Sequence, residues 1–272
     1  MTYWVAELGG NHNGETKRVR RMAELARLIG CQAIKLQAIP ERGLFRDEVA
    51  RHPAITRDLL NAARIDDIHL GCSVFRVEDV GWVSELVDFL KISSYDLLRD
   101  DLIRESAYSG KPLILSTGMS TMEEVGHAVE VARVSGARDI TVLHCVSLYP
   151  APPDSVKLSS IHILKQCYHF DPLYDIPIHK VGWSDHSRNP AVLYCAVLRW
   201  HAAVVEFHLD IDGEGSEYKH GHCWLPYEIA PVMDTIEQAE NCSGDGVKSL
   251  TEAELEERKW RADPFDGLRP ML

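Results

Sequence analysis

A (β/α)₈ barrel, the α/β TIM-barrel architecture in a single domain, is the fold class this sequence predicts. Three observations predict it. Short apolar runs alternate with helix-patterned stretches along the whole chain, eight such runs occur, and most are continuously apolar rather than alternating. Continuous apolar runs mark parallel strands buried on both faces. Eight of them separated by helices close into a barrel, and a chain of 272 residues is the usual size for one.

The expected strands, in order, are Trp4–Leu8, Ala33–Gln37, His69–Ser73, Phe89–Ser93, Leu113–Ser116, Ile140–Leu143, Val181–Trp183 and Val204–Phe207. The first helix is expected over Glu15–Ile29, where Val19, Met22, Ala23, Ala26 and Ile29 make one apolar stripe that Gly30 ends. Ile55–Arg64, Val77–Leu86 and Leu102–Ser109 follow. Thr121–Ser135 repeats the spacing through Met122, Val125, Val129 and Ala132, with Ser120 and Glu123 as its capping box. Asn13 is a candidate cap for the first helix. Ala191–Trp200 and Tyr227–Glu240 complete the set. No linker or low-complexity tract divides residues 1–272, so residues 241–272 are read as a polar tail that packs on the barrel, with one short helix over Glu252–Trp260. An open doubly wound sheet is the runner-up. The first strand–helix turn, Gly9–Gly14, lacks the GxGxxG fingerprint that a dinucleotide-binding sheet would carry.

Composition narrows the partners. The net charge is −12, from 41 acidic and 29 basic residues, which argues against nucleic acid and anionic membranes. No stretch reaches the roughly 20 apolar residues of a membrane span, and the N-terminus has no basic leader. The seven cysteines form no CxxC pair, and Cys31, Cys72, Cys145 and Cys195 lie in apolar runs. A reducing, cytoplasmic setting is the expectation.

Chemistry collects at the strand ends, where barrels build active sites. Glu7, Lys35 with Gln37, Ser73, Lys91 with Ser94 and Asp96, Ser116, His144 with Ser147, Ser184 with His186, and Glu206 with His208 all follow apolar runs. Lys35 and Lys91 would enter the mouth from different strands, ringed by the hydroxyls of Ser73, Ser94, Ser116, Ser147 and Ser184. Two cations among neutral donors suit a small polyanion with carboxylate and phosphate groups. His186 and His208 follow adjacent strands, so their imidazoles could converge on one divalent ion. The bland alternative for either histidine, a core or hydrogen-bonding residue, is the commoner one taken singly. Glu7 is a strand-end acid able to orient water or move a proton. His52, His69, His127 and His201 read as surface or packing residues. Lys219–Cys223, KHGHC, has zinc-ligand chemistry but no partner pair at finger spacing, and reads as a substrate-facing loop.

The ordered segments AELGGNHNG, GCQAIKLQ, DFLKISSYD, GKPLILSTGMSTMEEV, LHCVSLYPAP, VGWSDHS and VVEFHLD resemble the sialic acid synthase family, with its N-acetylneuraminate, legionaminate and pseudaminate synthases. They span residues 6 to about 210. The resemblance implies a barrel enzyme that condenses phosphoenolpyruvate with an N-acetylhexosamine-like sugar aldehyde, releasing phosphate and a 2-keto-3-deoxy acid of the nonulosonic type. Carried over by motif, His186 and His208 are the metal ligands, with Mn²⁺ the first expectation and Mg²⁺, Co²⁺ or Zn²⁺ the alternatives. Lys35, Ser73, Lys91, Ser94, Ser116, Ser147 and Ser184 are the phosphoenolpyruvate contacts. Glu7, Asp96 and Lys35 are the catalytic residues, and Gln37, Tyr149 and Glu206 face the acceptor. The family's STPF reads CSVF here, placing Val74 for Pro, and its GSGE reads SSYD, placing Asp96 for Glu. The family's barrel is normally followed by an antifreeze-like domain, and the resemblance in this chain covers the barrel alone. A homodimer, with a separate protein supplying that domain, is the implied assembly. Two other readings remain at this stage: a metal-dependent lyase or a synthase for a shorter aldose, and a non-catalytic sugar-acid binding protein.

Overall fold

A computed structural model describes residues 1–39, 53–169 and 178–270. Eight parallel strands close into a barrel in sequence order: β1 (Tyr3–Glu7), β2 (Ala33–Gln37), β3 (His69–Ser73), β4 (Phe89–Ile92), β5 (Leu113–Ser116), β6 (Ile140–Cys145), β7 (Ile178–Asp185) and β8 (Val204–His208). Closure is made by β8 against β1, with Glu7 level with His208 on one side and with Lys35 on the other. Each predicted strand is present, and the open-sheet alternative is excluded by that closure. The helices are α1 (Thr16–Leu28), α2 (Arg57–Ala63), α3 (Val77–Ser84), α4 (Asp100–Tyr108), α5 (Met122–Val134), α6 (Ser160–His169), α7 (Pro190–Tyr194), α8 (Pro226–Cys242) and α9 (Leu255–Arg258).

Period-two alternation in the strands sorts side chains between two apolar clusters. Trp4, Ala6, Ile34, Leu36, Leu90, Ile92, Val142, Trp183, Val205 and Phe207 belong to the large cluster with the helices. Val5, Ala33, Phe89, Ile114, Leu143 and Val204 form a separate cluster, one residue from each of six strands, which is the plug of the barrel lumen. The next inward position along each strand is Glu7, Lys35, Ser73, Lys91, Ser116, Cys145, Ser184 and Glu206. The lumen therefore changes from apolar to polar within one residue pair, toward the C-terminal strand ends.

Several local expectations shift. The capping box of α5 is Thr121 with Glu124, not Ser120 with Glu123: Thr121 Oγ1 accepts from Glu124 N at 3.3 Å and Glu124 Oε2 accepts from Thr121 N at 2.7 Å. The segment STMEE offers both frames, and Ser120 N is already donated to Thr117 O, closing the preceding turn. The N-cap of α1 is Glu15, not Asn13. Asn13, at φ +53, instead receives Ser216 N on its Oδ1 and donates to Glu214 O. The expected helix over Ala191–Trp200 begins at Pro190 and becomes a π-turn over Cys195–Arg199. No helix is expected between 150 and 180, yet α6 lies there. Residues 241–270 are exposed throughout. His52 lies outside the described residues. Among the described residues, no helix is long and apolar enough to cross a membrane.

Candidate active site

The polar ring at the strand ends is built of opposed charges. Lys35 Nζ is in direct contact with Glu7 Oε2 and donates to Ser73 Oγ at 2.7 Å. Glu7 Oε1 takes the Gly9 N–H at 2.6 Å. Across the mouth, Lys91 Nζ donates to Glu206 Oε1 at 2.5 Å, and Ser184 Oγ donates to the same oxygen at 3.2 Å. All of these side chains are buried. Two buried ion pairs are weak devices for stability, because desolvation consumes most of the Coulombic gain. Their presence at a strand-end mouth points to binding.

The electrostatics follow from that crowding. Burial pushes the Lys35 ammonium down to about 8, with Glu206 opposing and Lys91 adding to the shift. Burial alone would raise Glu206, but Lys35 and Lys91 hold its carboxyl well below the usual carboxylate range. Glu206 Oε2, Ser116 Oγ and Ser147 Oγ are buried without a hydrogen-bond partner. Orphaned polar atoms are rare in a finished interior and mark places where a polar ligand belongs.

Two imidazoles stand beside the ring. His186 Nδ1 is 2.9 Å from Val146 O, and His208 Nδ1 is 3.0 Å from Glu217 Oε2. With Nδ1 engaged on each, Nε2 is the nitrogen left for a ligand. Their ring centroids are 5.3 Å apart. Burial pushes His208 down to about 3, with Glu217 opposing, so the ring is neutral and ligand-competent. The Tyr149 ring packs against His186 with centroids 4.0 Å apart and planes tilted by 31°. The donor set fits a divalent ion, with His186 and His208 as the residues that would hold it.

Of the residues read from sequence, Glu7, Lys35, Gln37, Ser73, Lys91, Ser94, Ser116, Tyr149, Ser184, His186, Glu206 and His208 line one pocket. Asp96 and Ser147 are not among its walls. Asp96 Oδ2 accepts from Ser93 Oγ at 2.6 Å and its other oxygen is 3.8 Å from Arg99. It braces the turn after β4 instead of facing the ring. A Cβ on Gly118 would lie 2.3 Å from Ser147 Oγ and 2.9 Å from Ser94 Oγ, which puts Ser147 against that glycine's backbone. A second recess, of about 230 Å³, opens at the opposite end of the barrel beside Tyr3 and Lys180; bottom faces of such barrels serve stability.

Glu217 is a functional candidate that sequence reasoning missed, and His222 belongs to the KHGHC loop that the sequence read only as substrate-facing. Gly9 (φ +49) and Gly10 let the backbone after β1 approach the Glu217 carboxylate: a Cβ on Gly9 would sit 2.2 Å from it, and Gly10 N donates to it at 2.6 Å. Asn11 Oδ1 accepts from Glu217 N at 2.8 Å. The GGNHNG run therefore clamps the loop that follows β8. Cys145, 3.9 Å from His186 Nδ1, also lines the pocket. The signal available in sequence was the His and Cys content of KHGHC; the partners it lacked arrive through tertiary structure.

The matched family model is described as the NeuB family and aligns with residues 52–248. The chain belongs to the NeuB family. An N,N'-diacetyllegionaminic acid synthase of Campylobacter jejuni is 27% identical over 279 residues, covering 93% of this chain and 80% of that protein. An N-acetylneuraminic acid synthetase of Leptospira borgpetersenii, solved with citrate, superposes with a TM-score of 0.81 at 27% identity, over 96% of this chain and 91% of that one. A truncated 3-deoxy-D-arabino-heptulosonate 7-phosphate synthase of Thermotoga maritima, 15% identical with a TM-score of 0.67 over 89% of this chain and 87% of that one, shares the fold. Membership in the NeuB family joins the barrel and the motifs in a single lineage.

Proposed function

We propose that this NeuB-family chain joins phosphoenolpyruvate to a sugar aldehyde, releasing phosphate and a 2-keto-3-deoxy acid of the nonulosonic type. The observation that carries the reading is the buried Lys35–Glu7 and Lys91–Glu206 ring beside two imidazoles, with orphaned oxygens on Glu206 and Ser116. Lys35 and Lys91 take the carboxylate and phosphate of phosphoenolpyruvate, charge-assisted contacts that strengthen in a site closed to water. Ser73, Ser94, Ser116 and Ser184 supply neutral donors that fix its orientation. Gln37 and Tyr149 bound the space for the acceptor. His186 and His208 would hold a divalent ion, which would supply Lewis acidity toward the aldehyde oxygen.

The bonds balance as follows. Carbon 3 of phosphoenolpyruvate bonds to the aldehyde carbon, whose oxygen takes a proton. Water adds at carbon 2 and gives one proton to Glu7, which the charged Lys35 ammonium holds in place by direct contact; that proton is the one passed on to the former aldehyde oxygen, and the second water proton leaves with phosphate. The carbon 2–oxygen bond to phosphate then breaks, leaving the keto group. Phosphate release on incubation with phosphoenolpyruvate, Mn²⁺ and a panel of N-acylated and plain aldoses tests the proposal. Release with one sugar class and none without sugar is expected; none with any sugar would overturn it.

A further inference from the structure

The loop between β8 and α8 returns to the strand it left. Leu209 forms a parallel bridge with Trp224; Trp224 N donates to His208 O at 2.8 Å, and Asp210 N donates to Trp224 O at 2.9 Å. Asp185 holds the Trp224 indole at 3.2 Å. Gly221, left-handed at φ +83, ends the short turn Tyr218–His220 and delivers His222 beside His208. The two ring centroids are 4.6 Å apart, at an interplanar angle of 75°.

His222 is only 4% exposed, and its Nδ1 is buried with no hydrogen-bond partner. Its Nε2 faces Glu217 Oε2 at 3.7 Å, the same oxygen that meets His208 Nδ1. A buried imidazole nitrogen left unpaired has lost its water without gaining a partner, a cost that a coordinated ion removes. The pattern repeats three times. His186 has one nitrogen toward Val146 O, while His208 and His222 each have one toward Glu217, and each ring keeps a second nitrogen. Imidazoles that share an ion at about 2.0–2.1 Å place their centroids roughly 4.5–5.5 Å apart. The separations of His208 from His186 and from His222, 5.3 and 4.6 Å, lie in that range. The outer pair stands 6.5 Å apart, so one of these two rings has to move by about 1 Å for both to reach one ion. Ligand atoms of His208, Glu217, His222 and Cys223 all lie within 4.8 Å of one another, a group that joins His222 to His208 but does not include His186.

We propose that His222 is a third imidazole ligand of the ion at His186 and His208, so that this chain selects a transition metal with three histidines. The inference rests on the reading that those two histidines bind an ion. Three imidazoles favour Zn²⁺, Co²⁺ or Fe²⁺ over Mg²⁺, which prefers oxygen donors and keeps its waters. Glu217 then acts as a positioning residue behind two of the rings, fixing which nitrogen each presents.

Metal-stripped full-length protein titrated with Co²⁺ against a chromophoric chelator gives affinity and a visible spectrum without turnover. Wild type is expected to bind one ion with the intense bands of a low-coordinate site, undisplaced by excess Mg²⁺. His222→Gln is expected to weaken binding about tenfold or more and to fade those bands. His220→Gln, an exposed neighbour, is expected to change neither. X-ray absorption of the zinc-loaded wild type, which needs no variant to fold, is expected to count three imidazoles. Two imidazoles, or wild-type affinity and spectrum in His222→Gln, would overturn the role of His222 while leaving the His186–His208 site standing. No ion bound by wild type would overturn both.

Discussion

Lys35 is where the buried ring is most exposed to titration. Its ammonium is held at about 8 against an ordinary 10.5, chiefly by burial. Below that value it is charged and able to bind a carboxylate; above it, neutral. The expected result is a kcat/KM for phosphoenolpyruvate that falls about tenfold per pH unit above 8, the slope of one lost proton. In Lys35→Arg, whose guanidinium stays charged, the alkaline limb is expected to vanish even though the absolute rate drops. Unfolding is not an alternative cause from this group. With the folded value below the unfolded one, the unfolded chain binds more protons between about 8 and 10.5, so this group's contribution to stability grows as pH rises through that window. A flat alkaline limb in wild type would remove Lys35 from the binding role. Asp96 gives a second prediction at this scale. Bound to Ser93 and near Arg99, it lies off the pocket. Asp96→Asn is therefore expected to leave kcat within a few-fold of wild type, measured by phosphate release. A loss of a hundredfold or more would return it to the chemistry.

At the level of elements, two glycines separate barrel geometry from helix propensity. A Cβ on Gly182 would stand 2.1 Å from the Val204 carbonyl oxygen, a backbone atom in the neighbouring strand β8. Gly126, inside α5, would meet nothing within 4 Å. Gly182→Ala is expected to cost at least about 1–3 kcal/mol, and Gly126→Ala to gain about 1 kcal/mol, both read from urea unfolding. Equal effects would mean that the close approach of β7 to β8 is not a constraint. The same elements show why the fold was legible. Leu113–Ser116 (LILS) is a short continuous apolar run, and Ala33–Gln37 (AIKLQ) is apolar except for Lys35 and Gln37, so parallel pairing places both in a buried sheet. Helix α6 was less legible because its apolar residues do not all share one face: Ile161 and Leu164 are buried while Ile163 between them is exposed. The candidate site was legible wherever a side chain sits at a strand end, since strand ends share one mouth in any such barrel. His222 and Glu217 were not, because they reach that mouth through the Leu209–Trp224 bridge, a pairing that no local pattern announces. Ser147 and Asp96 lie two and four residues beyond the ends of their strands and are not among the pocket's walls, although Ser147 Oγ is buried without a partner.

Across the whole molecule, charge is divided by depth. The chain carries −12 overall, yet Lys35 and Lys91 are buried in the lumen, each against a carboxylate. An anionic substrate thus meets no long-range attraction and is recognised only by exchange of partners inside the mouth, which favours selectivity over speed of encounter. The barrel's enclosure is what makes that exchange strong, and the enclosure comes from β1 closing on β8 and from α8, whose Ile229, Val232, Met233 and Ile236 are buried. Glu240, near the end of α8, still reaches back to Thr2 at 3.1 Å. Beyond it the chain leaves the core. Residues 241–270 are exposed throughout, and their bonds are local, such as Thr251 with Glu254 and Leu268 with Asp266. A segment that buries nothing contributes little to unfolding free energy, so truncation after Ser243 is expected to leave stability within about 0.5 kcal/mol. Urea unfolding at several protein concentrations measures it. A loss above about 2 kcal/mol at all concentrations would mean that the tail docks on its own barrel. A loss that disappears at high concentration would assign it to an interface between copies.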